Sequence, residues 1–85
     1  MLSAVGSYKY APSDFEGVIG LKDDLHLFYG ALEAYRLETT KKKWRELFEK
    51  WENLFFTIKN SVVCGSLSPV EATEINTYLE ELIDD

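Results

Sequence analysis

His26 is the only imidazole in the chain, and Asp23 stands three residues before it. On a helix that spacing puts both side chains on one face, where they could grip a metal ion between them. Two ligands leave such a site incomplete, because a structural zinc takes four. No metal site is expected. Cys64 is the only thiol. It falls at a helix end with no histidine expected beside it, so it reads as a small buried apolar residue rather than a nucleophile. The pairs Asp23–Asp24 and Glu80–Glu81 are adjacent in sequence. Neighbouring helix positions point to different sides, so neither pair forms a carboxylate dyad. Gly17 and Gly20 precede no lysine in a phosphate-loop pattern. The expectation is a protein that is not an enzyme and holds no cofactor.

The basic residues offer one further kind of chemistry. Lys41, Lys42, Lys43, Trp44 and Arg45 form the stretch KKKWR, and a basic patch with an aromatic ring can neutralise phosphates and stack a base. The net charge of −6 opposes this, and the helical period assigns Trp44 to the core. Direct nucleic-acid binding is not expected. The acids are unevenly placed. Residues 71–85 contain Glu71, Glu74, Glu80, Glu81, Asp84 and Asp85 with no Lys or Arg, and this segment equals the whole net charge of −6. Elsewhere acids and bases cancel, so the chain is balanced with an acidic C-terminal segment.

Three amphipathic helices must position these groups. Leu21, Leu25, Phe28, Leu32 and Tyr35 share one stripe at helical spacing and predict a helix over 21–37, with Tyr29 and Leu27 widening it. Thr39 or Thr40 can cap a second helix over 41–63. A third over 69–83 starts at the strongest local signal in the chain: Ser68 as N-cap, Pro69 at the first helical position and Glu71 closing a capping box. Its apolar face is Ala72, Ile75, Tyr78, Leu79, Leu82 and Ile83. Gly65 suits the end of the second helix. Ahead of these, Ser13 and Glu16 fit a capping box for a short extra helix over 14–19, with a break near Gly20. Residues 1–12 carry no helical period and read as an extended N-terminal arm. The expected fold is all-α, a three-helix bundle over 13–85 behind that arm. The short connections make neighbouring helices antiparallel.

The second helix carries WRELFEKWENLFF, Trp44 to Phe56. With Trp44 set at zero, Phe48, Trp51, Phe55, Ile58 and Val62 fall within roughly 40° of it at 100° per residue, and Leu47 and Leu54 extend the stripe to one side. Phe48, Trp51, Phe55 and Ile58 are therefore expected in the core. Phe56 and Val63 lie outside this stripe, beside Arg45, Glu49 and Glu52. They are expected either to be covered, with Tyr8 and Tyr10 of the arm as the cover, or to face solvent as a contact patch. Lys41 to Lys43 at the start of the second helix and the acids at the end of the third both oppose the helix dipole. Mutual compensation is not expected, because the third helix is shorter and stops roughly 12 Å short of the lysines at 1.5 Å per residue. Its acidic end should lie nearer Lys50 and Glu49.

No run approaches the ~20 apolar residues of a membrane span. MLSAVGSYKY lacks the basic region of a secretory signal, and one cysteine allows no intrachain disulfide. A cytoplasmic protein without membrane attachment is expected. In size, acidity and helical class the chain is similar to bacteriocin immunity proteins and small phage-encoded inhibitors, and the likeness extends no further. With no chemistry to assign, the expected function is a small protein-interaction module. It would act as a regulator or inhibitor by binding another protein through Phe56, Val63, Tyr8 and Tyr10. One alternative is an acidic mimic, in which Glu71, Glu74, Glu80, Glu81, Asp84 and Asp85 imitate a phosphate row and block a nucleic-acid-binding protein. Another is a structural subunit in which the arm pairs across a two-fold axis into a homodimer.

Overall fold

The computed structural model describes residues 8–84. A 3₁₀ turn spans Pro12–Phe15, followed by α1 (Leu21–Leu37), α2 (Lys41–Cys64) and α3 (Pro69–Asp84). The chain is all-α, a three-helix bundle, as its periodicity predicts. The boundaries follow local chemistry. Gly20 adopts φ +82° and its carbonyl accepts the Asp24 N–H at 3.0 Å, so the left-handed kink before α1 needs a residue without a Cβ. Thr40, rather than Thr39, caps α2, with its hydroxyl accepting the Lys43 N–H at 3.2 Å. Gly65, at φ +85°, ends α2. Its N–H donates to the Val62 carbonyl at 3.1 Å, and the Ser66 N–H donates to the Ser61 carbonyl at 2.8 Å. These are the two bonds of a Schellman termination. The capping box of α3 forms as expected: the Glu71 N–H donates to Ser68 Oγ and the Ser68 N–H to Glu71 Oε1, both at 3.1 Å.

The segment before α1 differs from expectation. In place of a helix over 14–19 capped by Ser13, a single 3₁₀ turn begins at Pro12, whose fixed φ sets the turn two residues early. Asp14 Oδ2 accepts the Ala11 N–H at 2.9 Å, while Glu16 reaches Lys22 at 3.3 Å. Of the expected extended arm, residues 1–7 lie outside the described residues. The part that follows runs across the bundle. The Lys9 N–H donates to the Tyr78 hydroxyl of α3 at 2.8 Å, and the Tyr29 hydroxyl of α1 donates to the Tyr10 carbonyl at 2.6 Å. The Tyr10 ring also meets Phe15 and Tyr78 at 5.9 and 5.4 Å. The arm and the 3₁₀ turn thus fill the wedge between α1 and α3.

The core combines Leu21, Leu25, Phe28, Tyr29 and Leu32 of α1 with Leu47, Leu54 and Ile58 of α2 and Ala72, Ile75 and Leu79 of α3. Phe15 and Leu67 close its ends. A partly buried Thr57–Asp24 hydrogen bond ties α2 to the first turn of α1. The main departure from the sequence expectation is the rotation of α2. Ile58 is buried as expected. Phe48 and Phe55 are not core residues, being 44% and 39% exposed, and Trp51 is half-buried. The helix turns its aliphatic line inward, Leu47–Leu54–Ile58 with Ser61, which lies roughly 70° to one side of Trp44 at 100° per residue.

This rotation makes a sharp contrast between adjacent residues, since Leu54 is 0% exposed and Phe55 39%. Leu54→Ala is expected to cost about 2–5 kcal/mol. Phe55→Ala is expected to cost about 1 kcal/mol, the loss of its ring contacts. Urea unfolding followed by circular dichroism measures both, and equal losses would contradict this placement of α2.

Candidate protein-interaction surface

The rotation of α2 exposes an unbroken series of rings. Tyr35 of α1 meets Trp44 at 5.5 Å between ring centroids, Trp44 meets Phe48 at 6.5 Å, and Phe48 meets Trp51 at 5.8 Å. Trp51 then meets Phe55 at 5.8 Å, and Phe55 meets Phe56 edge-on at 6.0 Å. The steps from Trp44 to Phe55 alternate four and three residues, the spacing that brings side chains together along one side of a helix. Each ring covers part of the next, yet the outer edges stay open. Phe56 is 57% exposed. At 150–250 Å² for each large aromatic side chain, Trp44, Phe48, Phe55 and Phe56 together present roughly 270–450 Å² of apolar surface. That matches the largest patch of a typical monomer, which is often functional.

α3 forms one border of this strip. Trp44, Phe48 and Trp51 line a shallow groove of about 280 Å³ with Glu80, Ile83 and Asp84. Asp84, Ile83 and Trp44 also line a neighbouring hollow with Tyr35, Thr39, Thr40 and Lys41. The expectation that α3 ends beside Lys50 and Glu49 is therefore incorrect. Lys50 and Glu49 flank α1, in a hollow with His26, Leu27, Gly30, Ala31 and Glu46. The Leu67 N–H also donates to the Ser61 carbonyl at 3.2 Å, and Leu67 is buried at the end of the core.

The acids named from the sequence do not form one cluster. Glu71 is engaged in the capping box at the start of α3. Glu74 and Glu81 lie beside Lys9, Thr73, Thr77 and Tyr78. Glu80 and Asp84 face the aromatic groove instead, and Asp85 lies outside the described residues. Among the described residues the ion pairs are Lys22–Glu16, Lys43–Glu46 and Lys50–Glu49. None involves an acid of α3.

The apolar candidates also separate. Phe56 continues the aromatic strip. Val63 stands 80% exposed two turns further along α2. Tyr8 and Tyr10 cover neither of them. The Tyr8 ring stacks on Tyr29 with centroids 3.9 Å apart, and its hydroxyl donates to Glu33 Oε2 at 3.1 Å. These tyrosines line a hollow with His26 and Gly30, on the side of α1 and the 3₁₀ turn. Sequence reasoning missed Trp44, Phe48, Trp51 and Phe55 as surface residues because a helical period counts aromatic and aliphatic residues alike.

The remaining reactive groups are dispersed. Cys64 is exposed rather than buried, because the inward line of α2 passes through Ser61 to Leu67. His26 and Asp23 are both exposed. Among the described residues, no three His, Cys, Asp or Glu side chains gather to hold a metal ion. No described helix is long and apolar enough to cross a membrane. Compared with family models, curated proteins and solved structures, the chain matches none.

The tyrosine cluster carries a pH dependence. Burial first, then the charge and hydrogen bond of Glu33, push the Tyr8 hydroxyl from 10.0 up to about 12. Burial and then the neighbouring Tyr78 and Tyr8 raise Tyr29 as well. Unfolding would release these protons at ordinary tyrosine values near about pH 10. The stability from the cluster is therefore complete below that pH and is lost as pH rises through the folded values. Denaturant midpoints are expected to stay level to about pH 10 and fall beyond it. Tyr8→Phe should make the fall shallower, and an unchanged slope in that variant would exclude Tyr8 as a source.

Proposed function

We propose that this chain is a non-enzymatic protein-interaction module that binds another protein through the α2 strip of Trp44, Phe48, Trp51, Phe55 and Phe56. The observation that carries this reading is the run of partly exposed rings from Trp44 to Phe56, continuous by ring contacts. Large aromatics exposed together are unfavourable in water, and they are the residue types that anchor protein interfaces. The strip is rigid because it sits on one helix whose adjoining aliphatic line, Leu47–Leu54–Ile58, is fixed in the core. Little side-chain entropy is then lost on binding. Such a module would regulate or inhibit its partner by occupying a surface that the partner otherwise uses.

The test is affinity capture from host lysate at low and high salt, comparing the native chain with Phe48→Asp, Phe55→Asp and Phe56→Asp. A partner that is retained in high salt and lost with these substitutions is the expected result. Helical circular dichroism must be preserved in the same variants. Capture that survives all three substitutions sinks the strip as the contact surface. If that capture is also abolished by high salt, the acidic-mimic reading replaces it.

A further inference from the structure

The strip has an occupant of definite shape and charge. We propose that the face between α2 and α3 receives an amphipathic helix of the partner, with an apolar spine over Trp44, Phe48, Trp51 and Phe55 and a Lys or Arg on the flank over Glu80 and Asp84. This proposal rests on the strip being the contact surface.

The shape comes from the bundle. α1 covers one side of α2 through Leu47, Leu54 and Ile58, and α3 borders the strip through Ile83. The open face therefore occupies the position of a fourth helix in a bundle. From Trp44 to Phe55 the strip is about 17 Å long at 1.5 Å per residue, three turns of helix. A partner helix with apolar residues at i, i+3, i+4 and i+7 has the matching repeat.

The charge comes from α3. Glu80 and Asp84 are four residues apart on one face and line the groove with Trp44, Phe48 and Trp51. Neither has an ion-pair partner among the described residues. They also lie in the last turns of α3, which carry no basic residue of their own at the negative end of the helix dipole. Lys41 shares a hollow with Asp84 but makes no ion pair with it. A cation seated there meets two carboxylates and the dipole together. A second copy of the chain fits poorly. Each copy has a net charge of −6, so like charges oppose self-association.

The experiment selects binders from a displayed library of helical peptides on the immobilised full chain. The peptides have a leucine spine and randomised flanking positions. Enrichment of Lys or Arg at one flank is expected on the native chain. On Glu80→Lys/Asp84→Lys that preference is expected to vanish or turn acidic. A resynthesised basic peptide should lose about tenfold in affinity for this variant. The variant should fold, because both positions are exposed and the end of a helix favours bases. Enriched peptides with no charge preference, or the same basic preference on the reversed variant, overturn the proposal while leaving the strip as a contact surface. Enrichment no greater than on Phe48→Asp/Phe55→Asp overturns the contact surface and the proposal with it.

Discussion

The inward line Leu47–Leu54–Ile58 fixes the rotation of α2, and the surface follows from that rotation. These side chains are almost completely buried against Leu21, Leu25, Phe28 and Leu32 of α1 and Ile75 and Leu79 of α3. Each buried aliphatic side chain contributes roughly 1.5–3 kcal/mol relative to exposure. Turning α2 to bury Phe48 and Phe55 would lift Leu47 and Leu54 out of this contact. It would also break the Thr57–Asp24 hydrogen bond and the close approach of Thr57 to Gly20, 3.6 Å from where a Cβ would stand. With three helices, α2 has neighbours on one side only, so an apolar arc wider than that side is left partly in water.

The ends of the helices were legible in the sequence because single residues with local mechanisms set them. Gly20 and Gly65 adopt positive φ, Thr40 accepts the Lys43 N–H, and Ser68 and Glu71 satisfy each other's backbone. None of these depends on the tertiary arrangement. The Ser13–Glu16 box did not form because Pro12 sets a turn earlier and Asp14 reaches the Ala11 N–H first. Rotation about a helix axis is a different kind of quantity. Trp44, Phe48, Leu47 and Leu54 all read as hydrophobic, and their combined arc is wider than two neighbouring helices can cover. Which part is covered depends on residues far away in sequence.

The arm shows the same limit. Tyr8 and Tyr10 were recognisable as apolar residues in need of a partner, but the partner is Tyr29 with Tyr78 and Phe15. Three hydrogen bonds direct the chain across α1 and α3: Tyr8 to Glu33, Lys9 to Tyr78, and Tyr29 to Tyr10. These contacts span 25, 69 and 19 residues of sequence, so no local pattern announces them. With Tyr8 and Tyr10 used here, Phe56 and Val63 stay exposed among the described residues.

Two departures from the usual rules meet along one groove. Aromatic rings that could have been buried stand partly in water, and acids sit at the helix end that favours bases. Each has a small local remedy. Ring contacts at 5.8–6.5 Å cover part of every face along α2, and exposure lets water screen Glu80 and Asp84. Neither remedy removes the cost to the isolated chain. If the two features were unrelated, they could lie on different sides of the bundle, as Glu74 and Glu81 do beside Lys9. Instead Glu80 and Asp84 line the same groove as Trp44, Phe48 and Trp51. The proposed basic, apolar-spined helix would relieve both at once, burying the ring edges and bringing a cation to Glu80 and Asp84. Local rules are most often broken where a molecule does its work, and here two independent rules are broken along one edge.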